Sequence, residues 1–186
     1  SIGSKIVDGA YKTMIERLQS SNNPNFFLLN YDQRKYSVLN FLVIPKHYFT
    51  PSIIEKRKAL SQTARRAGWI GCNILLQSIP KTGKIFFINN GIVEPKEKVL
   101  SEWQKTLFLR EEIDIKAKGW LLDIMMCIDK LDKKDFILDE IYAFENKLKE
   151  KHPNNSHIKD KIRQQLQVLR DKGYLSFISN GKYKLT

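Results

Sequence analysis

Four apolar side chains near the C-terminus, Ile158, Ile162, Leu166 and Leu169, follow one another at spacings of four, four and three. That spacing winds into one stripe on a helix, whereas a strand alternates its faces at every residue. The flanking residues narrow the choice further. Pro153-Asn154-Asn155-Ser156 breaks the chain ahead of the stripe, and Gly173 follows it, so a helix is expected over 157–172. Two short runs, 174–178 and 182–185, then flank Ser179-Asn180-Gly181, and Asn-Gly is a preferred turn for a tight hairpin. Upstream, 120–131 and 138–150 read as two more helices. Three helices followed by a hairpin is the order of a winged helix, a variant of the helix-turn-helix DNA readers.

The other side of the third helix carries Lys159, Asp160, Arg163, Gln164, Gln167 and Arg170. Arg and Gln pair bidentately with guanine and adenine edges in the major groove, so Lys159, Arg163, Gln164 and Gln167 are candidate readers. A cap from Asn155 or Ser156 would leave the first-turn N–H groups free to face phosphate, which adds Ser156 and His157 to the candidate contacts. Lys182 and Tyr183 fall where a wing would meet the neighbouring backbone.

Charge points the same way. The chain has 186 residues and a net charge of +12, unevenly placed. Residues 1–32 are neutral, 33–113 hold 14 Lys and Arg against six Glu and no Asp, and 115–186 hold 15 against ten. Two separate basic regions imply two contacts with a polyanion, since each neutralised phosphate releases a condensed counterion. No apolar run approaches the roughly 20 residues of a membrane span. Cys72 and Cys127 lie far apart in apolar surroundings without Cys or His at ligand spacing, so two buried free thiols are expected rather than a disulfide or metal site.

The first part of the chain reads as helix, several strands, then helix. Ile6, Ala10, Met14 and Leu18 recur four apart and predict a first helix over 6–18; strands are expected at 26–31, 36–44, 72–76 and 84–88, and a helix from Pro95 with Val99, Leu100, Trp103, Leu107 and Phe108 facing the core. Residues 45–66 read as connective and basic. The charged stretch 111–118 is the expected linker, giving domains 1–112 and 113–186 in an α+β protein.

A basic α+β unit beside a winged helix raises the question of a nuclease. Metal-dependent hydrolysis needs two carboxylates on the metal and usually a Lys near the attacking water. Residues 33–113 contain no Asp; their one Glu-x-Lys, Glu94-Pro95-Lys96, sits at a helix start; Asp32 lies in a hairpin turn and Asp8 on the expected first helix. Glu145-Asn146-Lys147 falls in the other domain, and the histidines His47, His152 and His157 are scattered. No catalytic residue and no metal ligand is assigned to this chain.

Several stretches carry a resemblance: Asp8-Gly9-Ala10-Tyr11, Asn22-Asn23-Pro24-Asn25-Phe26-Phe27, Asn40-Phe41-Leu42-Val43, and the long run Thr63-Ala64-Arg65-Arg66-Ala67-Gly68-Trp69-Ile70-Gly71-Cys72-Asn73-Ile74. It returns at His157-Ile158-Lys159, Lys161-Ile162-Arg163-Gln164-Gln165-Leu166-Gln167 and Leu169-Arg170-Asp171-Lys172. The chain resembles the DpnI-like family of methyl-directed restriction endonucleases over nearly its whole length. The resemblance implies a two-domain enzyme that cuts GATC carrying N6-methyladenine. It implies a nuclease domain of the PD-(D/E)xK class that holds Mg2+ and a winged helix that reads the methylated sequence independently.

In that family the catalytic Asp, the Glu-x-Lys and a structural zinc site lie before the point matching Ser1, and the present chain starts without Met. The expectation is therefore the remainder of a PD-(D/E)xK domain followed by a winged helix, with hydrolytic residues and both metals upstream and no cleavage by these residues alone. Trp69 matches the aromatic that the family places near the paired methyl groups, and Arg65 and Arg66 become backbone or base contacts. The expected partner is double-stranded DNA with methylated adenine, bound by a monomer in the bacterial cytoplasm. A non-catalytic winged-helix regulator and a methyl-adenine reader that cannot cut are the alternatives.

Overall fold

The computed structural model describes residues 2–20, 22–112 and 114–186. The chain divides into two compact units, Ser1–Arg110 and Glu111–Thr186.

In the first unit, β1 (Ile6–Ala10) leads directly into α1 (Tyr11–Gln19). The helix expected over 6–18 is thus a strand followed by a shorter helix. Ile6, Asp8 and Ala10 alternate in burial with Val7 and Gly9, and Ile6 to Asp8 pair antiparallel with Ile74 to Cys72. A spacing of four is even, so it satisfies a strand face as well as a helix face; pairing with a buried strand decided the matter.

Next come β2 (Phe26–Asp32) and β3 (Ser37–Ile44), then β4 (Ile54–Lys56), β5 (Gly71–Ile74), β6 (Ile85–Asn89) and β7 (Ile92–Val93). They form two antiparallel sheets of order β1-β5-β4 and β2-β3-β6-β7. The connective 45–66 contains, besides β4, two short 3-10 turns at Lys46–Tyr48 and Pro51–Ile53. These bring Tyr48 and Ile53 into a core with Leu42, Ile44, Ile74, Ile79 and Ile85. α2 (Lys96–Thr106) and α3 (Phe108–Glu111) follow. Leu100, expected in the core, is half-exposed at 50%, while Leu109 is fully buried.

The second unit is α4 (Ile115–Leu131), β8 (Asp135–Ile137), α5 (Leu138–Tyr142), α6 (Glu145–Lys151), α7 (Ile158–Asp171), β9 (Leu175–Ser179) and β10 (Lys182–Leu185), with a β8-β10-β9 sheet. Asp114 caps α4 by accepting the Lys116 amide at 2.9 Å, one of the orphan donors at a helix start. Ile124, Met125 and Ile128 of α4, Ile141 of α5 and Leu148 of α6 are buried with the α7 stripe.

Two expectations needed revision here. The helix over 138–150 is broken: the Phe144 N–H closes a tight bond on the Ile141 carbonyl, and Phe144 leaves helical dihedrals before α6 starts. No proline or glycine announces that break. The strand β8 was not foreseen either, because its three residues show one buried apolar side chain, Phe136, too few for any period.

Both cysteines are free and buried. Burial, the largest cause, pushes the Cys127 thiol up to about 12 from an ordinary value of 9.0. Burial also raises Cys72, with Asp8 adding to the effect. A disulfide-exchange reagent at pH 8 is expected to titrate no thiol quickly in the folded chain and two after unfolding in guanidinium. Because the folded-state value of Cys127 is raised, its share of stability is complete below about pH 9 and is lost as the pH climbs toward 12. A flat unfolding midpoint across that alkaline window would contradict this burial.

Candidate nucleic-acid interface

The alternation of apolar and polar residues in α7 fixes what the second unit presents. Ile158, Ile162, Leu166 and Leu169 are at most 3% exposed, whereas Lys159, Arg163, Gln164, Gln167 and Arg170 all lie on the exposed side. Gln165, next to the candidate reader Gln164, is buried. Arg163, Gln167 and Arg170 line one wall of a groove of about 430 Å³, and Phe177, Asn180 and Tyr183 of the wing line the other. The groove is therefore cationic along the helix and partly aromatic along the wing.

Several of these cations already have partners. The Lys159 ammonium lies 3.6 Å from Glu145 and over the Tyr142 ring. The Arg163 guanidinium lies near the same ring and donates its Nε–H to the Tyr142 hydroxyl. Lys161 donates to Gln164 Oε1 at 2.7 Å, and Arg170 pairs with its neighbour Asp171.

The start of α7 differs from expectation. Neither Asn155 nor Ser156 caps it: the N-terminal residue is His157, without a side-chain cap bond. Asn155 instead accepts the His157 amide at 2.8 Å, a local Asx turn that folds the loop. Ser156 and His157 are exposed there, and His157 Nδ1 lies 3.9 Å from Asp160. Just upstream, His152 stacks on Trp120 at 3.7 Å and its Nε2 meets Asp123 at 2.8 Å, which ties the loop before α7 to α4.

At the wing, Gly181 turns the hairpin with φ +70°, and its carbonyl accepts the Leu138 amide at 2.8 Å. Lys182 is exposed beside that anchored tip. Tyr183 is mostly buried rather than exposed like Lys182: it is 8% exposed and stacked on Phe136, because alternation along β10 turns it inward when Lys182 faces out, and only its remaining surface borders the groove. Phe177, 49% exposed and edge-on to Tyr183, and Tyr142 were not found from sequence. Neither carries a local signal, and each acquires its place through tertiary packing.

In the first unit, the segment 57–70 is an excursion between β4 and β5. Arg57 N–H donates to the Gly71 carbonyl, Leu60 to Trp69 and Gly68 back to Leu60, which closes the base of the loop and leaves Arg65 and Arg66 exposed at its tip. Gly68 takes φ +77°, a conformation that favours glycine. Trp69 is half-buried. Its indole lies across Gly71, where an added Cβ would come within 2.8 Å of Cη2 and Cζ3. Tyr11, Ile15, Lys56 and Ile70 join Trp69 around an open hollow of about 510 Å³, with the Lys56 ammonium over the Tyr11 ring.

Catalytic chemistry finds no such support. Among the described residues no group of three or more His, Cys, Asp or Glu side chains could hold a metal ion. Glu94 pairs with Lys98 at 2.7 Å, and Glu55 is held below the usual carboxylate range by Asn73 and then Lys5. These residues do not fit a hydrolytic metal centre or a zinc site, so no hydrolytic step is assigned to them. No helix among the described residues is long and apolar enough to cross a membrane.

A winged helix whose polar helix edge borders a cationic groove is a DNA-binding module. Residues 1–112 match the model of the DpnI, or Dam-replacing, family, and residues 116–185 match the DpnI_C, or Dam-replacing HTH, domain. The first match alone covers more than half of the 186 residues, and the chain belongs to the Dam-replacing family.

The seat of Trp69 is testable by itself. Gly71→Ala is expected to lift the indole off the sheet and shift the tryptophan emission, with no shift when the same change is made in a Trp69→Phe background. Identical emission in wild type and Gly71→Ala would refute the close approach.

Proposed function

We propose that the chain binds double-stranded DNA at GATC sites carrying N6-methyladenine, as part of a methylation-dependent type II restriction endonuclease whose Mg2+-dependent hydrolytic residues lie outside these 186 residues. The observation that carries the reading is the exposed polar edge of α7 beside the wing, on a chain of the Dam-replacing family.

The chemistry of each surface suits a different task. On α7, Lys159, Arg163, Gln164 and Gln167 present donors and acceptors at helical spacing, the arrangement that reads base edges in the major groove. Ser156 and His157 at the helix start, and Lys182 on the wing, are placed for backbone contacts that position the helix. In the first unit, Arg65 and Arg66 neutralise phosphates while the exposed part of the Trp69 indole offers apolar surface to a methyl group. Burying one methyl against it is worth about 1 kcal/mol, roughly a five-fold preference per methyl. The chain acts as a monomer with one duplex in this reading.

Binding to one duplex, fully methylated or unmethylated at a single GATC and at fixed salt, tests the reading. Methylated DNA is expected to bind at least several-fold tighter, and Trp69→Ala to erase part of that preference. Equal affinity for the two duplexes would defeat the methyl-reading claim. The replacement of both Arg65 and Arg66 by Gln is expected to flatten the dependence of log affinity on log salt by up to about 2, near 0.9 for each lost phosphate contact. An unchanged slope would remove both arginines from the interface.

A further inference from the structure

Tyr142, at the end of α5, meets two candidate readers of α7 at once. Its ring carries the Lys159 ammonium 5.4 Å from the centroid and the Arg163 guanidinium 5.7 Å from it, and its hydroxyl accepts the Arg163 Nε–H. Lys159 and Arg163 are one helical turn apart, so their side chains share a face, and a single aromatic ring serves both. Glu145 pins Lys159 from the side, which leaves Arg163 as the group whose direction depends on the tyrosine hydroxyl.

That bond has a chemical consequence. A guanidinium has five N–H donors in a rigid plane. With Nε–H given to Tyr142, the edge formed by the two Nη groups remains, a fork matched to two adjacent acceptors such as guanine O6 and N7. Arg163 lines the groove beside Gln167, Arg170 and Phe177, so the remaining edge borders the space a base edge would occupy. An arginine left untethered would have to freeze several rotatable bonds on binding, and the tether removes part of that loss beforehand.

We propose that Tyr142 is a positioning residue for base discrimination: by holding Arg163 through Nε, it aims the Nη edge at a guanine in the major groove. The inference rests on the DNA-binding reading above.

The test compares binding of the full chain to a duplex with fully methylated GATC and to the same duplex with 7-deazaguanine in place of its guanines, which deletes the N7 acceptor. The wild-type chain is expected to prefer the first by about ten-fold, the scale of a good bidentate contact. Tyr142→Phe keeps the ring under both cations and deletes only the hydroxyl; it is expected to cut the preference to about two- or three-fold without moving the thermal midpoint. In an Arg163→Ala background the preference is already lost, and adding Tyr142→Phe is expected to change nothing. A preference that survives Tyr142→Phe, or one that falls by the same factor with and without Arg163, overturns the proposal. A wild-type chain that binds neither duplex overturns the DNA-binding reading itself, a result distinct from either of those.

Discussion

The second unit depends on the packing of the α7 stripe into the core built by α4. Ile162, Leu166 and Leu169 reach no solvent, and neither do Ile124, Met125 and Ile128 of α4. Each such side chain contributes about 1.5–3 kcal/mol relative to an exposed position, far more than any exposed ion pair on the opposite edge. The hydrophobic term therefore sets the rotation of α7 about its axis, and the outward direction of Arg163, Gln164 and Gln167 follows from it. The stacked pair of Trp120 and His152, with Asp123 beside it, extends the constraint to the loop that delivers the chain into α7.

The first unit orients its surface by a different means. A backbone ladder between 57–60 and 69–71 closes the arginine loop, and the missing Cβ of Gly71 lets an indole approach the sheet closely. The outer atoms of the six-membered ring of Trp69 make that contact, and the residue is half-buried with part of its surface free. Backbone bonds and one close approach do here what a side-chain stripe does in α7.

What could be read from sequence follows from how local each determinant is. The α7 stripe, the Asn180-Gly181 turn and the buried free thiols depend on neighbours a few residues away, and they are found as expected. The strand at Ile6–Ala10 was misread because its partner, β5, lies more than 60 residues on, and the spacing of its apolar residues fits both periods. The break at Phe144 and the core-facing Tyr183 answer to packing across the unit. The contacts of Tyr142 were invisible for the same reason: a tyrosine in a short helix gains them only from the cations that α7 places by its ring. The family resemblance supplied Trp69, for which the residues offered only a position between arginines and a glycine.

The candidate contact cations of α7 and of the arginine loop also differ in how firmly they are held, and the difference matches the two kinds of work proposed for them. On α7, Lys159, Lys161, Arg163 and Arg170 each engage a side chain of their own unit. Arg65 and Arg66 form no side-chain hydrogen bond or ion pair among the described residues. Phosphate neutralisation tolerates loose geometry, because a point charge near a polyanion releases counterions from many positions. Reading a base edge does not, because two donors must meet two acceptors in one plane. In the proposed reading, tethered donors on a helix fixed by its buried stripe suit that demand, and the arginines on a closed loop suit the other. Discrimination then falls to α7 and electrostatic affinity to the arginine loop, and each surface is oriented by the packing or backbone bonding of its own unit.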